Sequence, residues 1–283
     1  MSSVAVRAQA RTNAAAGVWA FVKRHVLTVY SILFFLYLLL PIGVVIAFSF
    51  NEPVGKFNYT WHKFTWDNWH YWNGVPGIQT AIVLSLEIAA LASLIATVLG
   101  TLIALALVRY GFRGRGLTNL LIFLPLSTPE IVMGASLLTL FLNLNFVFGF
   151  WTILIAHVTF CISFAVVSVK ARLIGFDRHL EEAAMDLGAN EWVTFRKVTL
   201  PLIAPAILAA LLLCFAVSVD DFVVTYFNSG SEVTFPLFVW GAARIGAPPQ
   251  VNVIGSAIFL IAVSAMLVNV LIQTCRTKGA VTV

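Results

Sequence analysis

Charged residues are scarce in this chain, and cysteine is nearly absent. Only 10% of the 283 residues carry a charge, whereas 60% are apolar and 13% are aromatic. An average soluble domain has about 25% charged residues, so the composition excludes a water-soluble enzyme and predicts an integral membrane protein. Cys161, Cys214 and Cys275 lie far apart in apolar stretches. This spacing excludes a disulfide framework and a cysteine-based metal site.

The sequence also lacks the motifs of several enzyme classes. It contains no G-x-x-x-x-G-K-[ST] phosphate-binding loop, so we do not expect it to hydrolyse ATP itself. It contains neither G-x-S-x-G nor H-E-x-x-H, which argues against an intramembrane enzyme built on its carboxylates and His157. A channel or a secondary transporter is a further alternative from a different class.

Apolar runs long enough to cross a bilayer occur six times. A hydrocarbon core about 30 Å thick requires roughly 20 helical residues. The predicted spans are 27–50, 81–108, 117–141, 148–169, 202–226 and 250–274. The first run is too long for the apolar core of a signal peptide, so we expect it to be retained. The sequence therefore predicts an all-α six-helix transmembrane domain over 27–274, between an N-terminal segment, 1–26, and a tail, 275–283.

The distribution of lysine and arginine predicts the orientation of these spans. If both termini are cytoplasmic, the inner segments hold 14 of the 17 basic residues. The outer segments then hold only Lys56, Lys63 and Arg244. Because basic residues are retained on the cytoplasmic side, we expect both termini in the cytoplasm.

The first outer loop is unusually aromatic. Its rings are Phe57, Tyr59, Trp61, Phe64, Trp66, Trp69, Tyr71 and Trp72. Such a density suits the membrane–water boundary and favours a short interfacial helix. The alternative is an aromatic contact surface for a soluble partner or a cationic ligand.

Four carboxylates fall inside predicted spans: Glu87, Glu130, Asp220 and Asp221. Each costs about 2.5–3.5 kcal/mol at the centre of a bilayer, so we expect none of them to face lipid. No lysine or arginine lies inside a span, which makes a cationic solute a candidate partner. For the two aspartates the alternative is a structural cap. Pro129, directly before Glu130, predicts that the third span is kinked or broken, as helices often are at transport sites.

Three further residues in or near the predicted spans are candidates. Tyr226 and Trp240 supply rings for a cationic ligand, or they anchor the helix ends at the interface. His157, inside the fourth predicted span, is a hydrogen-bonded core residue or a member of a proton relay.

The longest polar stretch on the predicted cytoplasmic side is 170–201. Asp177 is a good N-cap for a first helix, and Gly188 can take the left-handed conformation that ends it. Asn190 then caps a second helix running to Pro201. We therefore expect a helix, a turn and a helix lying against the membrane.

This loop resembles the EAA loop, E-A-A-x3-G-x9-I-x-L-P, of permease subunits in binding-protein-dependent ABC importers. The matching residues are Glu182, Ala183, Ala184, Gly188, Val198, Leu200 and Pro201, with Val198 in place of isoleucine. The resemblance implies a type I ABC importer permease in which the loop is a coupling helix. In that family the helix docks into a groove on a cytoplasmic ATPase and transmits nucleotide-driven motion.

Other runs are similar to the spermidine/putrescine subgroup of these permeases, and specifically to its second permease subunit. They are LPLSTPEIVMGASLL (124–138), AHVTFCISFAVV (156–167), SVDDFVVTYF (218–227) and RIGAPPQVN (244–252). The subgroup implies polyamine import across a bacterial cytoplasmic membrane, and the alternative solute is an amino acid, a sugar or a metal complex. It implies a second homologous permease, two copies of an ATP-binding subunit and an extracytoplasmic binding protein. It implies no nucleic acid and no cofactor on this chain, with ATP and Mg on the ATPase.

Overall fold

The computed structural model describes the backbone of residues 2–280 and the side chains of residues 24–264 and 267. The side chains of Cys275 and of five of the basic residues counted in the inner segments lie outside that part; the five are Arg7, Arg11, Lys23, Arg276 and Lys278. The helices are α1 (Ser2–Ser49), α2 (Asp67–His70), α3 (Ile78–Arg109), α4 (Arg115–Ser127), α5 (Glu130–Asn143), α6 (Phe150–Ile174), α7 (His179–Asp186), α8 (Glu191–Thr194), α9 (Leu200–Asp220), α10 (Val223–Asn228), α11 (Phe235–Ile245) and α12 (Pro249–Ala280). A π-helical turn, Phe195–Thr199, joins α8 to α9, and two short strands, β1 (Asn51–Glu52) and β2 (Lys63–Phe64), form a hairpin.

Long apolar helices dominate the described part of the chain, as the composition predicts. Four of them are long and apolar enough to cross a membrane: Arg24–Ser49, Ile78–Arg109, Phe150–Ile174 and Glu191–Asp220. The pair α4 and α5 adds a fifth if it counts as one span. The sixth predicted span, 250–274, lies on α12, where the stretch with described side chains, Pro249–Ser264, is apolar but shorter.

The third predicted span is broken, as its prolines indicate. The axes of α4 and α5 differ by 111° across Thr128 and Pro129. Pro129 has no N–H to donate, and it restricts Thr128 to the extended backbone that this residue adopts. Glu130 is consequently the first residue of α5.

The prediction of one continuous helix over 202–226 was wrong, because α9 ends at Asp220 and α10 begins at Val223. Asp221 has an extended backbone, and its side chain accepts hydrogen bonds from the first turn of α10. The second helix of the polar loop also differs from the prediction, since it does not stop at Pro201. It continues through the π-helical turn into α9, and Pro201 is the second residue of α9.

The residues fall into two compact units, and the first comprises those up to Val75 together with those from Ile245 onward. In this unit α1 packs against α12. The predicted interfacial helix is only the four residues of α2, and the β1–β2 hairpin precedes it. Three buried amides explain this structure: Asn51 donates to Asn58 (2.6 Å), and Asn68 donates to the carbonyl of Asn51 (2.9 Å). These amides provide hydrogen-bond partners for one another, and the loop is held by these bonds rather than by the backbone bonds of a longer helix.

The second unit, Pro76–Arg244, has its core where α3, α6 and α9 pack together. Small residues allow close approach: a Cβ atom at Gly100 would lie 2.5 Å from Cβ of Ala165. Cys161 and Cys214 are buried where α6 meets α9, and each thiol contacts the other's carbonyl, at 3.6 and 3.3 Å. Both are small core residues, as predicted.

Candidate functional site

Three of the carboxylates predicted to lie in spans line one cavity of about 360 Å³. Glu130 reaches it from the break between α4 and α5, and Asp220 and Asp221 reach it from the break between α9 and α10. Phe160, Phe164 and Phe222 supply rings to the same wall. No lysine or arginine is among the lining residues. The cavity therefore combines a concentration of negative charge with apolar surface.

The helix ends at the cavity act on charge in two ways. Helix α9 ends at Asp220, and its unpaired carbonyl groups add partial negative charge where the carboxylates lie. Glu130 occupies the first turn of α5, where the N–H end of a helix stabilises a carboxylate. The N-terminal end of α5 thus favours negative charge at Glu130, and the C-terminal end of α9 favours a cation in the cavity.

The two adjacent aspartates have different surroundings. The Asp221 side chain is 7% exposed, and its Oδ2 accepts from the backbone N–H and the hydroxyl of Thr225, both at 2.8 Å. Asp220 is exposed, and the hydrogen bond of its carboxylate is with its own backbone. Asp221 therefore caps α10, whereas the Asp220 carboxylate is exposed at the cavity.

His157 is the buried residue that completes the Asp221 contacts. Its Nδ1 lies 2.7 Å from Oγ of Ser218, and its Nε2 lies 2.9 Å from Oγ1 of Thr225 and 3.4 Å from Oδ2 of Asp221. Because the Thr225 hydroxyl donates to Asp221, it accepts from His157 Nε2–H. Both ring nitrogens of His157 thus have hydroxyl partners, which agrees with a hydrogen-bonded core residue.

The remaining predicted pathway residues are not among the residues that line this cavity. Glu87 lines a separate groove of about 340 Å³, which also holds Glu232. Tyr226 is exposed and contacts Phe222 with 5.6 Å between ring centroids. Trp240 already carries a cation, since the guanidinium of Arg244 lies 4.5 Å from its ring centroid.

The polar loop forms the helix, turn and helix that the sequence predicts. Asp177 accepts from the backbone N–H of His179 (3.0 Å), and Gly188 ends the turn after α7 with a left-handed φ of +88°. Asn190 accepts from the N–H of Val193 (2.8 Å) and caps α8. Glu182 faces solvent with its side chain 61% exposed, 3.1 Å from His179. Ala183, Ala184, Leu200 and Pro201 lie in α7 and in the first turn of α9.

The neighbouring carboxylate, Glu181, was not singled out by the sequence, and it is largely buried. It accepts hydrogen bonds from Arg109 at the end of α3 and from the hydroxyl of Thr199 before α9. No local signal distinguishes Glu181 from Glu182, because Arg109 lies 72 residues away. Thr225 did have a local signal, since a hydroxyl four residues after Asp221 suits a capping carboxylate.

Together these features describe a multi-pass membrane protein with broken helices around an acidic cavity and a well-capped polar loop. Residues 96–275 match the family described as "Binding-protein-dependent transport system inner membrane component". The chain belongs to that family, which confirms the resemblance that the polar loop indicates, and it is a transporter permease subunit rather than an enzyme.

Two relatives and one solved structure are similar over most of their length. The "Spermidine/putrescine transport system permease protein PotC" of Escherichia coli K12 is 38% identical over 244 residues, covering 86% of this chain and 92% of that protein. The "Putrescine transport system permease protein PotI" of the same strain is 38% identical over 238 residues, covering 79% and 82%. A bacterial ABC transporter involved in the import of the acidic polysaccharide alginate has the same fold, with a TM-score of 0.63, 18% identity, and coverage of 91% and 96%.

Proposed function

We propose that this chain is one of two permease subunits in an ATP-driven importer of polyamines in a bacterial cytoplasmic membrane. The observation that carries the proposal is the cavity that Glu130 and Asp220 line, because no lysine or arginine is among its lining residues. The two similar permeases are named for the transport of spermidine and putrescine, which supports a polyamine as the substrate.

The chemistry of the cavity suits a polyamine. Such a molecule has ammonium groups separated by methylene chains, so it needs carboxylates and apolar surface at the same site. Glu130 and Asp220 supply the charge, while Phe160 and Phe164 supply surface for the methylenes and ring faces for the ammonium groups. Asp221 holds the break between α9 and α10 and adds negative charge. An anion would meet these carboxylates without a counter-ion.

The arrangement in the membrane follows from the hydropathy and the charge distribution. We infer six spans, with α4 and α5 together forming one of them and α12 forming the last. Both termini and the loop 170–201 lie in the cytoplasm, because this orientation places 14 of the 17 basic residues inside.

The polar loop carries apolar side chains that its own chain leaves uncovered. Leu187 is 90% exposed, Trp192 is 67% exposed and Met185 is 42% exposed. Apolar residues exposed on a loop outside the bilayer favour a protein partner. That partner is the ATP-binding subunit, present in two copies and holding ATP and Mg. The other partners are a second homologous permease and an extracytoplasmic binding protein.

Uptake by the reconstituted complex tests the substrate class. Radiolabelled spermidine should enter proteoliposomes containing both permeases, the ATPase and the binding protein, and only when ATP is present. Unlabelled putrescine should compete, whereas glucose and a neutral amino acid should not. Competition by glucose or by the amino acid instead would replace the polyamine with that solute class and retain the importer.

The loop has its own test in Gly188→Ala and Glu182→Lys. A side chain at a left-handed φ costs about 1–2 kcal/mol, and the charge reversal changes the exposed face of α7. Both variants should insert normally but give little binding-protein-stimulated ATP hydrolysis. Gly116→Ala, in open space on α4, is the control and should hydrolyse ATP at the parental rate. Parental stimulation in both loop variants would remove the coupling role of 170–201.

A further inference from the structure

Three elements meet at the Glu181 carboxylate in a contact that we call the Glu181 junction: Glu181, Arg109 and Thr199. Arg109 Nη2 and Thr199 Oγ1 both donate to Glu181, and they lie 3.4 Å from each other. The Arg109 side chain is 28% exposed, the Glu181 side chain is 15% exposed, and Thr199 is fully buried. The junction therefore ties α7 to the end of α3 and to the start of α9 through partly desolvated, charge-assisted bonds.

A second bond reinforces the connection between α7 and α3. The guanidinium of Arg178, at the start of α7, donates to the carbonyl of Val108, 3.1 Å away. Two adjacent residues in the last turn of α3, Val108 and Arg109, thus hold α7 in place. Movement of α7 cannot leave α3 unmoved unless these bonds break.

The backbone next to the junction is irregular. The π-helical turn, Phe195–Thr199, ends at Thr199. A cavity of about 220 Å³ lies beside it, lined by Arg109, Glu181 and Phe195 among others. Wide helical turns of this kind occur mostly at functional sites. Here the turn lies where α8 continues into α9 and where open space is available for a side chain to move.

The far end of α9 is the acidic cavity. The helix has 21 residues between the junction and Asp220, or about 32 Å at 1.5 Å per residue. Its middle packs against α3 and α6 in the close-packed core, and Pro205 lies inside the helix near the end at the junction. The junction and the break between α9 and α10 therefore lie at opposite ends of one packed helix.

We propose that Glu181 is the positioning residue through which the coupling loop moves α9 and α3 together, with Arg109 and Thr199 as its two attachment points. This inference rests on the proposed coupling role of 170–201. It separates the two neighbouring glutamates: Glu182 faces outward toward the ATPase, and Glu181 faces inward and transfers the displacement to the spans.

The test measures coupling rather than activity alone. Glu181→Gln keeps the shape of the side chain and removes its charge, and Thr199→Val replaces the hydroxyl with a methyl group. In proteoliposomes, polyamine uptake per ATP hydrolysed should fall roughly 2- to 30-fold, the range expected for residues along a coupling route. The double variant Glu181→Arg with Arg109→Glu, which exchanges the charges, should recover at least half of the parental ratio.

Controls distinguish a failure of this inference from a failure of the proposed function on which it rests. Glu52→Gln removes an exposed ion pair with Lys63 and should leave the ratio unchanged. A parental complex that retains no ATPase during purification would overturn the proposed function. A parental complex that couples normally, with Glu181→Gln and Thr199→Val keeping the parental ratio, would overturn the junction alone. A fall in assembly with an unchanged ratio per assembled complex would also overturn it, because that pattern means a purely structural role.

Discussion

Replacing Asp220 or Asp221 by asparagine should have opposite consequences, although the two residues are adjacent. Asp221 accepts two hydrogen bonds of 2.8 Å from Thr225 and lies 3.4 Å from His157, whereas Asp220 is exposed in the cavity. We expect Asp221→Asn to destabilise the protein and Asp220→Asn to reduce transport without destabilising it.

The magnitude follows from the bonds that each change removes. Both 2.8 Å bonds end on Oδ2, where the asparagine oxygen can still accept them, but the NH2 group then replaces Oδ1, which accepts from the Val224 N–H at 3.4 Å. One hydrogen bond to a charged acceptor is therefore lost, and such bonds contribute about 1.5–3 kcal/mol. For a chain of this size that loss lowers the melting temperature by roughly 3–10 °C. Substitutions at exposed positions usually change stability by less than about 0.5 kcal/mol. Removing one of two adjacent like charges at Asp220 should therefore be neutral or slightly stabilising.

The assay pairs thermal unfolding of the purified complex with uptake per assembled complex. Asp220→Asn should unfold at or above the parental temperature and carry less polyamine. Asp221→Asn should unfold at a lower temperature, and Asp221→Ala, which removes every acceptor, at a lower temperature still. Equal stability of the Asp221→Asn and Asp220→Asn variants would refute the division of roles between the two aspartates.

Two further changes test the core around the site. His157→Ala leaves the hydroxyls of Ser218 and Thr225 without their ring partner; it should cost about 2–5 kcal/mol, and His157→Gln should restore part of it, both read from thermal unfolding. Gly100→Val places a side chain against Ala165, 2.5 Å from its Cβ; it should lower the yield of assembled complex by forcing α3 and α6 apart, and a parental yield would show that this close packing is dispensable.

Hydropathy and proline predict most of this architecture because both act locally. The predicted span 81–108 corresponds to α3, Ile78–Arg109, and the bend at Pro129 follows from its missing N–H. No proline or glycine near Asp220 predicts the break that follows it. It arises because the Asp221 side chain replaces backbone partners in the first turn of α10.

The candidate site could be predicted in its residue types but not in its grouping. Burial costs identify carboxylates in spans, yet this criterion selects both Glu87 and Glu130, which line different cavities. Likewise, the contact that separates Glu181 from Glu182 comes from Arg109, on a helix 72 residues earlier. Such choices depend on how helices pack, which a local pattern does not contain.

The fold does not determine the charge of the solute. The structure with a TM-score of 0.63 belongs to a transporter that imports an acidic polysaccharide. The substrate of this chain must therefore be argued from the cavity residues and not from the helix arrangement.

The most direct test of the account is the uptake of radiolabelled spermidine by complexes carrying Glu130→Gln together with Asp220→Asn. Both changes keep side-chain shape and remove charge from the cavity, while capture by the binding protein takes place on another chain. The account predicts parental assembly, parental affinity of the binding protein for spermidine, and a loss of uptake on the order of tenfold or more, which corresponds to at least about 1.4 kcal/mol. Uptake at the parental rate by a fully assembled double variant would contradict it.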